Sequence, residues 1–137
     1  RSTLFPYTTL FRSCRIVAID DFNKDAKRLG KKYVSLKGEL KELENQLLEN
    51  PRMGVLIREN IYKIRLAVKS KGKGKSGGMR IITYVVEVEI EVEENEKEQD
   101  FTVILVAIYD KSEMENLPDK QLRDLIDDIE LELDEEE

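Results

Sequence analysis

The chain has 137 residues, 38% of them charged and 40% hydrophobic, with 7 Gly, 3 Pro, one Cys and no His. That length suits one domain able to bury about two-thirds of its unfolded surface. The composition excludes collagen, a low-complexity polymer, an internal disulfide, a Cys-rich zinc site and every imidazole-based triad or metal site.

The formal net charge is −6, but the charge is segregated. From Ile61 to Val86 there is no acid, while Lys63, Arg65, Lys69, Lys71, Lys73, Lys75 and Arg80 supply cations. Glu87 to Asp100 holds eight acids against Lys97, and residues 119–137 hold ten against Lys120 and Arg123. Outside those two acidic blocks the balance is 20 basic to 11 acidic residues. A polyanion can therefore be held locally despite the negative total.

Residues 1–13, RSTLFPYTTLFRS, look like translated sequencing-adapter sequence. They show neither helical period nor clean alternation, and Pro6 and the Thr/Ser residues break any signal-peptide core. They are expected to be an artefactual extension, leaving a domain over 14–131 and an acidic tail over 132–137.

Arg15 to Ile19 is a short β-branched run that predicts a first strand. Asp20 is a candidate cap for a helix carrying Phe22, Ala26 and Leu29, with Gly30 as its stop. Ser35 begins a second helix with Leu36, Leu40, Leu43 and Leu47 on one face, ended by Asn50-Pro51. The two make an αα-hairpin. Tyr62, Ile64, Leu66 and Val68 then alternate with Lys63, Arg65, Ala67 and Lys69, a strand with an apolar and a basic face. The loop KSKGKGKSGG (69–78) leads into a long strand over Met79 to Val92. A polar link over 93–99 precedes a nearly continuous apolar run, Phe101 to Tyr109, as a central strand requires. Leu122, Leu125, Ile126, Ile129 and Leu133 mark a last, acidic helix with Pro118 near its start. The order β-α-α-β-β-β-α predicts an α+β domain with an antiparallel sheet packed by an αα-hairpin and a C-terminal helix.

Lys69, Lys71, Lys73 and Lys75, interleaved with Gly and Ser, read as a flexible phosphate-tracking arm or as a solvated hairpin tip. Gly74-Lys75-Ser76 imitates the end of a P-loop, but Lys69 stands where the first Gly belongs and a strand follows. Glu87, Glu89, Glu91 and Glu93 share a strand face and read as a solvated edge, not a metal site. Lys63 and Arg65 are candidates for phosphate chemistry, the plain alternative being a solvated strand face.

Three stretches carry a resemblance. These are IYKIRLA (61–67), KSKGKGKSGGMRIITY (69–84) and ILVAIYDKSEME (104–115), with the helical lead-in KRLGKKYVSLKGEL (27–40). Over about residues 15–130 the chain resembles the RelE/ParE superfamily of toxins from bacterial type II toxin–antitoxin modules. The resemblance implies a RelE-like fold, a cytoplasmic toxin silenced by a cognate antitoxin, and no cofactor or metal. It leaves three activities open: cleavage of messenger RNA on the ribosome, inhibition of DNA gyrase, or a degenerate module that only binds its antitoxin and operator. The classical RelE pattern has an Arg after the last strand and a Tyr slightly later. Here Lys111 and Ser112 follow the strand, Met114, Asn116 and Leu117 come later, and the nearest tyrosine is Tyr109. For a nuclease, Arg65 and Arg80 are assigned to phosphate clamping, Lys63 to proton abstraction or charge stabilisation, and Lys111 to the leaving oxygen. Lys69, Lys71, Lys73, Lys75 and Tyr109 are assigned to RNA binding. The acidic last helix is a candidate to lie against the basic face.

Overall fold

A computed structural model of the chain describes residues 10–72, 74 and 77–136. In chain order the elements are β1 (Leu10–Ala18), α1 (Asp20–Lys32), α2 (Leu36–Glu49), β2 (Val55–Arg58), β3 (Ile61–Leu66), a 3-10 turn (Lys69–Lys71), β4 (Met79–Glu93), β5 (Glu96–Asp110) and α3 (Asp119–Glu136). The strands form one sheet in the order β1-β5-β4-β3-β2.

The sheet is mixed, which corrects the all-antiparallel expectation. β1 pairs with β5 in parallel, from Leu10↔Lys97 to Ala18↔Leu105, while the other neighbours are antiparallel. A parallel pair needs a long crossover, and the helices and strands between β1 and β5 supply it. β1 also begins at Leu10, inside the segment set aside as artefactual. A further strand, β2, fills what the sequence pattern left as a link. It turns into β3 through Glu59-Asn60, with Asn60 at φ 65. The predicted polar link over 93–99 is instead a two-residue turn, Glu94-Asn95, inside a 15-residue hairpin arm on each side. Asn95 has φ 66, and Asn tolerates the left-handed region better than most residues. Charged side chains did not stop the strands, because this end of the hairpin is largely exposed.

The helix ends also differ from the pattern. Ile19, not Asp20, is the N-cap of α1, and Asp20 and Asp21 lie in the first turn where the helix dipole favours acids. The helix passes Gly30 and ends at Lys32, its last turn carrying Lys31 and Lys32. One interior glycine costs about 1 kcal/mol, too little to end a helix anchored by buried Phe22 and Leu29. Ser35 does precede α2, yet its hydroxyl donates to Glu39 (2.9 Å) and pairs with Ser70 (2.8 Å) in place of capping. α3 runs through most of the predicted tail, to Glu136.

Helices cover both faces of the sheet. On one, Phe22, Leu29, Leu36, Leu43 and Leu47 pack with Ile64, Met79, Ile81, Val103, Leu105 and Ile108. On the other, Leu117, Leu122, Ile126 and Ile129 pack with Ile61, Ile82, Ile104, Val106, Ala107 and Tyr109. β5 is central and buried on both sides, as its continuous apolar run predicts. Its alternation changes phase at a bulge: Ile82 faces Ala107 but Thr83 faces Leu105. Strict alternation from Val103 and Leu105 would carry Tyr109 to the α1/α2 face. The extra residue carries Tyr109 to the α3 face and Asp110 to the opposite one.

Candidate functional site

The register assembles the site on the α3 face. Arg65 of β3 is paired with Arg80 of β4, and Arg80 with Tyr109 of β5, so the three residues form one lateral row. Lys63, two residues before Arg65, falls on the same strand face. Lys111 follows β5 directly, its backbone N–H bonded to the Gly78 carbonyl at 3.1 Å. The four residues assigned to phosphate chemistry are thus drawn from two strands and the end of a third, with Tyr109 of that third strand among them.

Their environments are unequal. Arg80 is buried, 5% exposed, and its guanidinium donates to the Met79 carbonyl at 3.3 Å. Arg65 is exposed. Lys63 donates to the Asn116 side-chain carbonyl at 2.9 Å, and Lys111 lies 3.4 Å from Glu115. The segment between β5 and α3 therefore holds two of the four cations. Beside Lys63 is a cleft of about 270 Å³ bordered by Arg58, Tyr109, Asn116, Asp119 and Leu122.

Tyr109 is 4% exposed, and no hydrogen bond of regular geometry reaches its hydroxyl. Burial raises its pKa. The Leu117 backbone N–H and the Arg80 charge oppose that rise without cancelling it. The phenol stays protonated at neutral pH, a donor and not a base.

The basic loop is not a uniform arm. Lys73 and Lys75 lie outside the described residues. Lys69 is exposed, and its backbone N–H donates to Glu39 at 2.8 Å. Lys71, assigned to RNA binding, is given a different role here. Its side chain is 4% exposed and ion-paired with the fully buried Asp110 carboxylate. The ammonium also donates to the Gly77 carbonyl (2.7 Å) and lies 3.3 Å from the Ser112 hydroxyl. Asp110 further accepts from the Tyr33 hydroxyl (3.0 Å), the Ser112 N–H (2.9 Å) and the Ser112 hydroxyl (2.8 Å). Burial pushes the Asp110 pKa up, but the hydrogen bonds from Lys71, Ser112 and Tyr33 outweigh it and hold the carboxyl well below the usual range. This pair lies on the face opposite the Arg65–Arg80–Tyr109 row. It fastens the loop base to the end of β5.

Arg58, Asn116 and Asp119 were not among the candidates. Arg58 belongs to the unpredicted β2, Asn116 follows β5 in a stretch with no periodic signal, and Asp119 opens α3 ahead of its apolar stripe. Among the described residues no group of three or more acids or cysteines is arranged to hold a metal, and no helix is long and apolar enough to cross a membrane.

No family model matches the chain. Among solved structures it is similar to a double-arginine mutant of the E. coli toxin RelE in the free state. The identity is 18%, the TM-score 0.46, and the match covers 75% of this chain and 88% of that one. At that overlap the likeness bears on neither mechanism nor partners.

Proposed function

We propose that the chain is the toxin of a RelE/ParE-type toxin–antitoxin module, silenced by a cognate antitoxin, and that it cleaves messenger RNA on the ribosome. The observation that carries the reading is the lateral row of Arg65, Arg80 and Tyr109, flanked by Lys63 and Lys111. Such a row suits an RNA phosphodiester. The 2′-oxygen attacks phosphorus, the bond to the 5′-oxygen breaks, and a 2′,3′-cyclic phosphate and a 5′-hydroxyl result. One proton leaves the 2′-hydroxyl and one reaches the 5′-oxygen. Arg65 and Arg80 stabilise the crowded phosphorane through its non-bridging oxygens. Tyr109 donates a hydrogen bond to the same group. Lys63 takes the first proton or steadies the charge, and Lys111 supports the leaving oxygen. Lys69, Lys73 and Lys75 track the flanking strand electrostatically. When RNA enters, Lys63 and Lys111 have to exchange Asn116 and Glu115 for phosphate, and the buried Arg80 guanidinium and Tyr109 hydroxyl have to be uncovered.

The test is inducible expression in a bacterial host, with growth followed and RNA 5′ ends mapped. Growth arrest with new 5′-hydroxyl breaks in coding sequence, lost in R65A, supports the nuclease. Arrest with intact RNA and broken DNA points to gyrase. No arrest from a folded protein points to a binding module without catalysis.

A further inference from the structure

The outer half of β4 has one strand partner where the inner half has two. Pairing with β3 stops at Ile61↔Tyr84, with one more bond from the Val85 N–H to the Asn60 carbonyl (2.8 Å). From Val86 to Glu93, β5 alone pairs with β4 among the described residues. This free edge carries two unlike rows. Val88 and Ile90 point to the α3 side, and Glu87, Glu89 and Glu91 to the other. A register shift between Glu91 and Glu93 ends the strict alternation at Val92; Val88, Ile90 and Val92 are 49%, 45% and 52% exposed. Arg52 takes Glu87 at 3.0 Å and Lys97 takes Glu89 at 3.2 Å. Glu91 and Glu93 form no ion pair among the described residues, though Lys97 stands opposite Glu91 in the register.

At the base of the edge, under the end of α3, lies a groove of about 550 Å³. Val86, Val88 and Leu133 give it an apolar floor, and its rim carries four acids, Glu87, Asp100, Glu130 and Asp134, against Arg15 and Arg52. The groove and the free edge are continuous through Val86 and Val88.

We propose that this edge takes an extended segment of a partner protein in which apolar and basic residues alternate, added to the sheet as a further strand beside β4. The backbone groups of Val86 to Glu93 supply the hydrogen bonds, the exposed Val88, Ile90 and Val92 receive the apolar side chains, and the glutamates receive the cations. A second copy of this chain is disfavoured as the occupant. Antiparallel self-pairing would set glutamate against glutamate, and like charges directly opposite on paired strands destabilise. The inference is independent of the nuclease reading, since it uses none of the residues of the basic row.

The test uses the full chain and two synthetic ten-residue peptides, one alternating Val and Lys, the other Val and Glu. Hydrogen exchange locates the contact and fluorescence anisotropy gives the affinity. The Val/Lys peptide is expected to slow exchange of amides within residues 86–93. Its affinity should fall about tenfold in the E91K/E93K variant, which removes two attractions and adds two repulsions at an exposed site. Binding of the Val/Glu peptide with equal affinity overturns the proposal. So does protection confined to other strands, or an unchanged affinity in the variant. A stable dimer without peptide, with residues 86–93 already protected, overturns it in favour of a second copy.

Discussion

Replacing Asp110 by Asn tests the buried pair that fastens the basic loop. Lys71 is 4% exposed and Asp110 is fully buried, so neither charge recovers water contact when its partner is lost. Removing one member of such a pair typically costs about 3–5 kcal/mol. Asn keeps an oxygen for the Tyr33 and Ser112 donors, which places D110N near the lower end, about 3 kcal/mol. For a domain of this size that corresponds to a Tm lower by roughly 10 °C. K71M leaves the carboxylate with Tyr33 and Ser112 and should cost a similar amount. The double variant D110N/K71M has no stranded charge, so its loss should stay near about 3 kcal/mol instead of doubling. Urea titrations at pH 7, read as midpoints at constant slope, measure all three. The pH dependence follows from the same pair. Folding holds the Asp110 carboxyl below its unfolded pKa, so its contribution is present above about pH 4 and is lost as pH falls toward the folded value. Wild type should therefore lose stability below about pH 5 more steeply than D110N. A loss under about 1 kcal/mol in D110N, or double-variant costs that simply add, would refute the reasoning.

Arg65 is exposed, so R65A should leave stability within about 0.5 kcal/mol while RNA cleavage falls by about 10²–10³-fold; urea midpoints and RNA 5′-end mapping separate the two. The Tyr109 hydroxyl is buried without a regular hydrogen bond, so Y109F should change stability by less than about 1 kcal/mol in either direction. A drop in RNA affinity in that variant, measured by anisotropy, then reports the lost donor and not a damaged fold. At Gly78 a Cβ would lie 2.0 Å from the Leu66 carbonyl oxygen, and the Gly78 carbonyl accepts the Lys111 N–H. G78A should cost about 2–4 kcal/mol in thermal unfolding, more than G30A, where a Cβ meets nothing within 4 Å.

The parts of the fold legible in the sequence are those set by local period and burial. The Leu36–Leu47 stripe, the start of β4 at Met79 and the central place of β5 all follow from which residues need cover. The parts that were not legible depend on distant partners. Nothing near Arg15–Ile19 says that its neighbour is β5 or that the pairing is parallel. Val55–Arg58 is short and exposed throughout, so it has no alternation to read. The candidate site was half legible. Alternation places Lys63 and Arg65 on one face, but their meeting with Arg80 and Tyr109 depends on register and on the bulge opposite Ile82/Thr83. Lys71 looked solvated because it sits among Gly and Ser. The signal that it is not lies 39 residues away, in an acid closing the uncharged run Phe101 to Tyr109, which needs a cation once buried.

The place of β5 also sets an order of assembly during synthesis. β1 is made before every other element described, yet the described residues it pairs with are 97–105. Through synthesis of everything between, that strand has no partner in the sheet. Tyr109, which completes the cationic row, and Asp110, which locks the loop, are made later still. Contacts so far apart in sequence form slowly, and unpaired strands expose the chain to misassociation meanwhile. A nascent chain arrested before Asp110 therefore has Lys63, Arg65 and Arg80 but neither the strand that aligns them nor the carboxylate that secures Lys71. The site comes into being only once β5 is complete, as a joint property of β3, β4 and β5.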